Sequence, residues 1–239
     1  MSMTATGWRS GACRTTATAF GVLAGLGGIT HGVGEVLQGS VPVEGVWLES
    51  WTTGPIAEHM GGEPGMTVLP TALAAGLVTL VASASVLAWS VTGLRTRHGG
   101  SVLSLLSAGM LLAGGGVGPP VLGMLAGAVG RWGLDRQPRW LRRLTPRARR
   151  RLARAWPAVF VAALVNGVFL VVGSVVLVYT AGLHMPDMFT GSFFLSVALL
   201  LVLLLVAPAY DAEHGYPEPT DGSAGRTSPA HAVASAGRR

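Results

Sequence analysis

The chain has 239 residues, half of them hydrophobic and only 12% charged, with a formal net charge of +6 and a positive mean hydropathy of +0.52. Soluble domains carry about 25% charged residues, so this composition excludes an ordinary water-soluble fold and makes lipid the expected solvent for most of the polypeptide. All 17 basic residues are arginine, a skew that fits GC-rich bacterial coding rather than any site chemistry.

The amino-terminal segment carries Arg9 and Arg14 and then runs into an apolar stretch. Cys13 precedes that stretch, whereas a lipoprotein cysteine follows one, and no small-x-small cleavage site stands out before Gly39. The stretch is therefore read as an uncleaved span. About 20 residues at 1.5 Å rise cross a hydrocarbon core of about 30 Å. Runs that qualify are Thr16 to Leu37, Thr67 to Thr92, Pro157 to Thr180 and Ser192 to Ala207. Backbone polar groups cannot go unpaired in lipid, so each is expected to be helical. The expected fold is an all-α, polytopic transmembrane bundle of four full spans plus one broken apolar segment.

The first span ends in Ile29-Thr30-His31-Gly32-Val33-Gly34-Glu35-Val36-Leu37-Gln38. At 100° per residue, Gly21, Ala24, Gly28, His31, Gly32 and Glu35 fall within one stripe about 100° wide. Small residues are what membrane helices use to approach one another, so His31 and Glu35 are expected to point at protein. Ala72, Gly76, Thr79, Ser83 and Ser90 form a stripe about 60° wide on the next span and make a natural mate. A polar clamp at the outer end of this seam is the plain reading of His31 and Glu35, as an i,i+4 pair that offsets part of the cost of burial. Proton or ion handling is the functional one. Glu58 and His59 lie in the loop on the same side, and with His31 and Glu35 they are the only candidates for a metal site; a solvated loop pair is their simpler reading.

That loop, Gly39 to Met66, carries Glu44, Glu49, Glu58 and Glu63 with no arginine, and Trp47 and Trp51 stand four apart as an interfacial anchor would. The region from Ser101 to Gly130 is apolar but broken by Gly114-Gly115-Gly116-Val117-Gly118-Pro119-Pro120. Each glycine costs about 1 kcal/mol and an interior proline about 3 kcal/mol in a helix. The region is either a re-entrant hairpin or a kinked fifth span. A hairpin gathers all 17 arginines on one side, as the cytoplasmic preference of arginine favours; a single span strands Arg9, Arg14, Arg95 and Arg97 on the other.

From Arg131 to Trp156 the arginines are interleaved with Trp132, Trp140 and Trp156 against one acid, Asp135. Pro146 is expected to divide this stretch into two pieces lying flat on the bilayer, with Arg139, Arg142, Arg143, Arg147, Arg150, Arg151 and Arg154 on anionic lipid headgroups. An acidic cytosolic partner is the alternative, and tethering to a span on each side argues against nucleic acid. In the next span Asn166 sits near mid-depth and is expected to look inward. His184 and Asp187 read as turn residues, and the tail from Tyr210 is expected to be disordered.

No Walker loop, nucleotide fingerprint, His-Glu-x-x-His or Gly-x-Ser-x-Gly occurs. No cofactor is implied and nothing nominates an enzyme. The expectation is a multi-pass protein of the bacterial inner membrane with cytoplasmic termini, a structural or partner-binding component. The alternatives are a proton- or ion-linked small-solute pathway, which needs a homo-oligomer to enclose it, and a membrane enzyme with an outer-face metal site.

Overall fold

The computed structural model describes residues 11–132, 137–183 and 186–214. Arg9, Asp135, Arg136, His184 and the tail from residue 215 lie outside the described residues. Four helical stretches are long and apolar enough to cross a membrane. They are α1 (Ala12–Gln38), α3 (Ala72–Thr92), the continuous pair α6 (Pro146–Val168) and α7 (Ser174–Ala181), and α8 (Pro186–His214). Between the first two lies a small layer of β1 (Trp47–Glu49), α2 (Pro55–Met60) and β2 (Pro64–Met66). Two shorter apolar helices, α4 (Gly99–Ala113) and α5 (Gly118–Gly130), connect α3 to α6.

The seam between α1 and α3 follows from the small-residue stripes. A Cβ on Gly25 would lie 3.1 Å from the Ser83 carbonyl oxygen, and one on Gly76 2.7 Å from that of Gly32. Only glycine permits backbones this close, and dispersion between them replaces the hydrophobic drive that lipid does not supply. Phe20, Leu23, Val86, Leu103, Met110, Leu122, Leu200 and Leu203 close the apolar core around it.

Residues 101–130 form a hairpin. Ser104 Oγ donates to the Met124 carbonyl at 3.0 Å, Gly123 packs on Ser107, and Gly100 packs on the backbone of Gly127 and Arg131. The outer ends of both arms are therefore side by side, and the kinked single span does not form. The turn uses left-handed glycines, Gly114 at φ +131° and Gly116 at φ +71°, which L side chains rarely adopt. Pro119 falls in the first turn of α5, where its missing N–H is no loss.

The bundle has two chemically distinct ends. At one, the Asp211 carboxylate accepts from the N–H groups of Ala12 (2.5 Å) and Cys13 (3.0 Å), an anion at the positive end of α1. Arg149 and Arg150 pair with Glu213 at the same end, and Arg14 and Arg95 line one shallow depression there. The opposite end carries the 39–71 segment and the hairpin turn: Thr67 Oγ1 donates to the Ala113 carbonyl at 2.8 Å, and Val68 N–H to that of Leu112 at 3.1 Å.

Two expectations about the arginine stretch and the tail change. Pro146 opens α6 at its first turn, with Thr145 Oγ1 accepting from Ala148 N–H, and the helix runs on through Pro157 into the span. Arg147, Arg150, Arg151 and Arg154 therefore stand on the first turns of a spanning helix. Arg139–Arg143 forms a separate 3₁₀ turn before it. Proline pre-organises a helix start, so it begins a helix here instead of dividing two. At the other terminus α8 extends to His214, because Asp211 and Glu213 find partners on α1 and α6 that composition could not reveal.

Candidate functional site at the loop end

The site is built where the loop, α1 and the hairpin turn converge. β1 and β2 pair antiparallel, Trp47 with Met66, Leu48 with Gly65 and Glu49 with Pro64. Ser50 follows β1 and is held by its N–H bond to the Glu63 carbonyl (3.2 Å), while Trp51 N–H bonds to that of Gly62 (3.2 Å). Gln38 Nε2 reaches over from the end of α1 to the carbonyls of Glu49 (2.8 Å) and Ser50 (2.9 Å). Glu63 itself sits at φ +52°, a left-handed backbone that costs about 1 kcal/mol for a residue with a side chain. Such outliers persist where the surroundings over-determine them.

These backbone restraints aim two side chains, Ser50 and Glu63, at α1. Ser50 Oγ lies 2.8 Å from His31 Nδ1 and 3.1 Å from Glu35 Oε1, to which it donates. Glu63 Oε2 lies 3.3 Å from His31 Nε2. His31 and Glu63 are 6% and 8% exposed, and Ser50 and Glu35 are fully buried. The expected i,i+4 pairing of His31 with Glu35 is replaced by a bridge, because the loop inserts the Ser50 hydroxyl between them. Among the described residues Glu35 Oε2 and the Thr79 hydroxyl have no polar neighbour other than each other.

The glycine-rich turn is seated directly on this cluster. A Cβ on Gly114 would lie 2.7 Å from Glu35 Oε2, and one on Gly116 2.3 Å from His31 Nε2. The break that interrupts the apolar run thus lets bare backbone pack over two buried ionisable groups.

Beside the cluster is a cavity of about 530 Å³, walled by apolar groups of α1, α5, α8 and the helix from α6 to α7, including Leu23, Pro119, Leu170 and Phe193. His31 and Glu63 form its polar end. Leu170 belongs to a π-helical segment, Phe169–Gly173, a local widening that recurs at functional sites. Ligand cavities span about 300–1,000 Å³ with mostly apolar walls and a few polar groups, and this one has that form.

The other candidates lie elsewhere. Asn166 Nδ2 donates to the Ser192 carbonyl (2.8 Å) and Ser196 Oγ (2.7 Å), and its Oδ1 accepts from Ser192 Oγ (2.7 Å). It faces inward as a tie between α6 and α8, apart from the cluster. Glu58 is exposed on α2, and the loop acid that reaches His31 is Glu63. Among the described residues no three His, Cys, Asp or Glu side chains gather closely enough to hold a metal ion, so His31, Glu35, Glu58 and His59 do not converge. Arg139, Arg142, Arg143, Arg147, Arg150, Arg151 and Arg154 are exposed at the opposite end. Sequence reasoning missed Ser50 altogether and named Glu63 only among the loop acids; Glu58, whose simpler reading was a solvated loop residue, is exposed. The one local signal was Gly61-Gly62-Glu63-Pro64-Gly65, a turn-forming run.

Fold and site define an α-helical membrane protein with four candidate spans, a hairpin between the second and third, and a buried acid–base cluster under its longest connecting loop. Comparison with protein-family models, curated proteins and solved structures finds no match to this chain.

Proposed function

We propose that this chain is a binding component of the bacterial inner membrane that holds a small amphipathic molecule in the cavity beneath the loop. The observation that carries the reading is an apolar cavity of about 530 Å³ closed at one end by His31 and Glu63, whose buried Oε2 has the His31 ring at 3.3 Å but accepts no hydrogen bond among the described residues. An apolar body fits the walls, and a cationic or hydrogen-bond-donating head fits the carboxylate. Phe194 lines the cavity yet is 64% exposed, so the cavity borders the lipid-facing surface from which such a molecule would come.

In this reading the arginine end lies in the cytoplasm with both termini, following the cytoplasmic preference of arginine. Arg139, Arg142, Arg143, Arg147, Arg150, Arg151 and Arg154, all exposed, then meet anionic lipid, each contributing about 1 kcal/mol near the surface. A proton-linked solute pathway is the second reading, favoured by the run of contacts from Glu63 through His31 and Ser50 to Glu35, each 3.3 Å or shorter. Against a route across the bundle stands the packing beyond Glu35. There Ser83 Oγ donates to Met110 Sδ, and Ser90 and Ser107 donate to carbonyls of their own helices.

The test is the thermal unfolding of the full chain in lipid nanodiscs titrated with dodecylammonium. A saturable rise in Tm is expected for the unaltered protein, and its loss in Val171→Trp, which fills the cavity from the π-helical wall. No rise in the unaltered protein would remove the reading.

A further inference from the structure

The polar cluster has a property that ligand binding does not require, and it emerges from counting protons. Ser50 has one hydroxyl proton. When it is donated to Glu35 Oε1 at 3.1 Å, the Ser50 oxygen must accept across the 2.8 Å contact to His31, so Nδ1 carries the ring proton. In a neutral ring Nε2 is then bare. Its 3.3 Å contact with Glu63 Oε2 is then favourable only with a proton on that carboxyl. If Glu35 holds the carboxyl proton instead, every bond reverses: Glu35 donates to Ser50, Ser50 donates to Nδ1, and Nε2–H donates to the Glu63 carboxylate.

Both arrangements contain the same protons and carry the same net charge. They interconvert when one proton leaves Glu63 for Nε2, a second leaves Nδ1 for Ser50 Oγ, and a third leaves Oγ for Glu35. Three bonds to hydrogen break and three form, and an imidazolium between two carboxylates is the midpoint.

We propose that Glu63, His31, Ser50 and Glu35 form a proton relay that moves one proton between the cavity wall and the carboxylate buried beneath the hairpin turn. Its inner end is a store. Glu35 Oε2 faces only the Thr79 hydroxyl there among the described polar groups, and the serines beyond are committed to Met110 Sδ and to helix carbonyls. Its outer end is Glu63, which lines the cavity and can meet an occupant as an acid or as a carboxylate without exchanging a proton with bulk water. The relay goes beyond the binding reading and stands whether or not the cavity takes dodecylammonium.

The imidazole ¹⁵N shifts of His31 in the full chain, assigned by their loss in His31→Gln, read the relay directly. A side-chain amide mimics a protonated carboxyl, so Glu35→Gln is expected to drive the ring to the Nε2–H tautomer and Glu63→Gln to drive it to Nδ1–H, with the unaltered protein averaged between them. The same tautomer in both variants, or an imidazolium in both, would overturn the relay and leave a static clamp. Ser50→Ala, which removes no ionisable group, is the second check. It cuts the chain at Nδ1 and is expected to fix Nε2–H, whereas His31 shifts unchanged from the unaltered protein would also overturn the proposal.

Discussion

Gly116→Ala is expected to destabilise the bundle by about 3 kcal/mol, the joint effect of a left-handed backbone and an overpacked contact. The backbone of Gly116 is at φ +71°, and the added methyl would sit 2.3 Å from two atoms of the His31 ring. Neither strain can relax alone. Moving the turn away strips its backbone from Glu35 and His31, and moving the ring breaks its contacts to Ser50 and Glu63. Unfolding of the purified protein in mild detergent measures the effect. Gly109→Ala is the matched control, a helical glycine whose Cβ would meet nothing within 4 Å, expected to be neutral or stabilising by up to about 1 kcal/mol. Equal stability of the two variants would mean that the turn does not rest on the cluster.

His31→Ala is expected to cost about 4 kcal/mol, within the range seen when one member of a buried polar pair is removed and the others stay buried. The ring joins the Ser50 and Glu63 side chains in the chain that ends at Glu35. Its loss leaves Glu63 buried without its polar neighbour on α1, and the loop is then held to α1 by the Ser50–Glu35 hydrogen bond and by Gln38. Glu58→Ala, on the exposed face of α2, is expected to change stability by less than about 0.5 kcal/mol. The same unfolding assay measures both. A cost for Glu58→Ala equal to that of His31→Ala would mean the wrong loop acid has been placed against α1.

The parts of this molecule legible in the sequence are those governed by local pattern. Span length, the small-residue faces of α1 and α3, and the glycine–proline break each depend on residues near one another in the chain. Charge placement then pointed to the hairpin. The site was only half legible. His31 and Glu35 announce themselves as polar residues in an apolar run, but their partners arrive from a loop. Ser50 is an unremarkable serine until β1 pairs with β2, and Glu63 differs from the other loop glutamates only through a backbone turned by its glycine and proline neighbours. The reach of α8 to His214 is hidden for the same reason, since Asp211 and Glu213 look like tail residues until α1 and α6 supply their partners. Pro146 shows the converse: proline breaks a helix interior and favours a helix start, and the tertiary context here selects the start.

The chain returns at Gly114–Gly116 to the end it came from, and the seating of the turn over His31 and Glu35 depends on that return. Sulfhydryl labelling of single-cysteine substitutions in sealed membrane vesicles tests this most directly, since Cys13 is fully buried and contributes no background. Arg97→Cys, before the hairpin, and Arg142→Cys, after it, are expected to react from the same, cytoplasmic side, and Glu44→Cys from the opposite side. Reaction of the two arginine positions from opposite sides would contradict the hairpin, and with it the placement of the turn over His31 and Glu35.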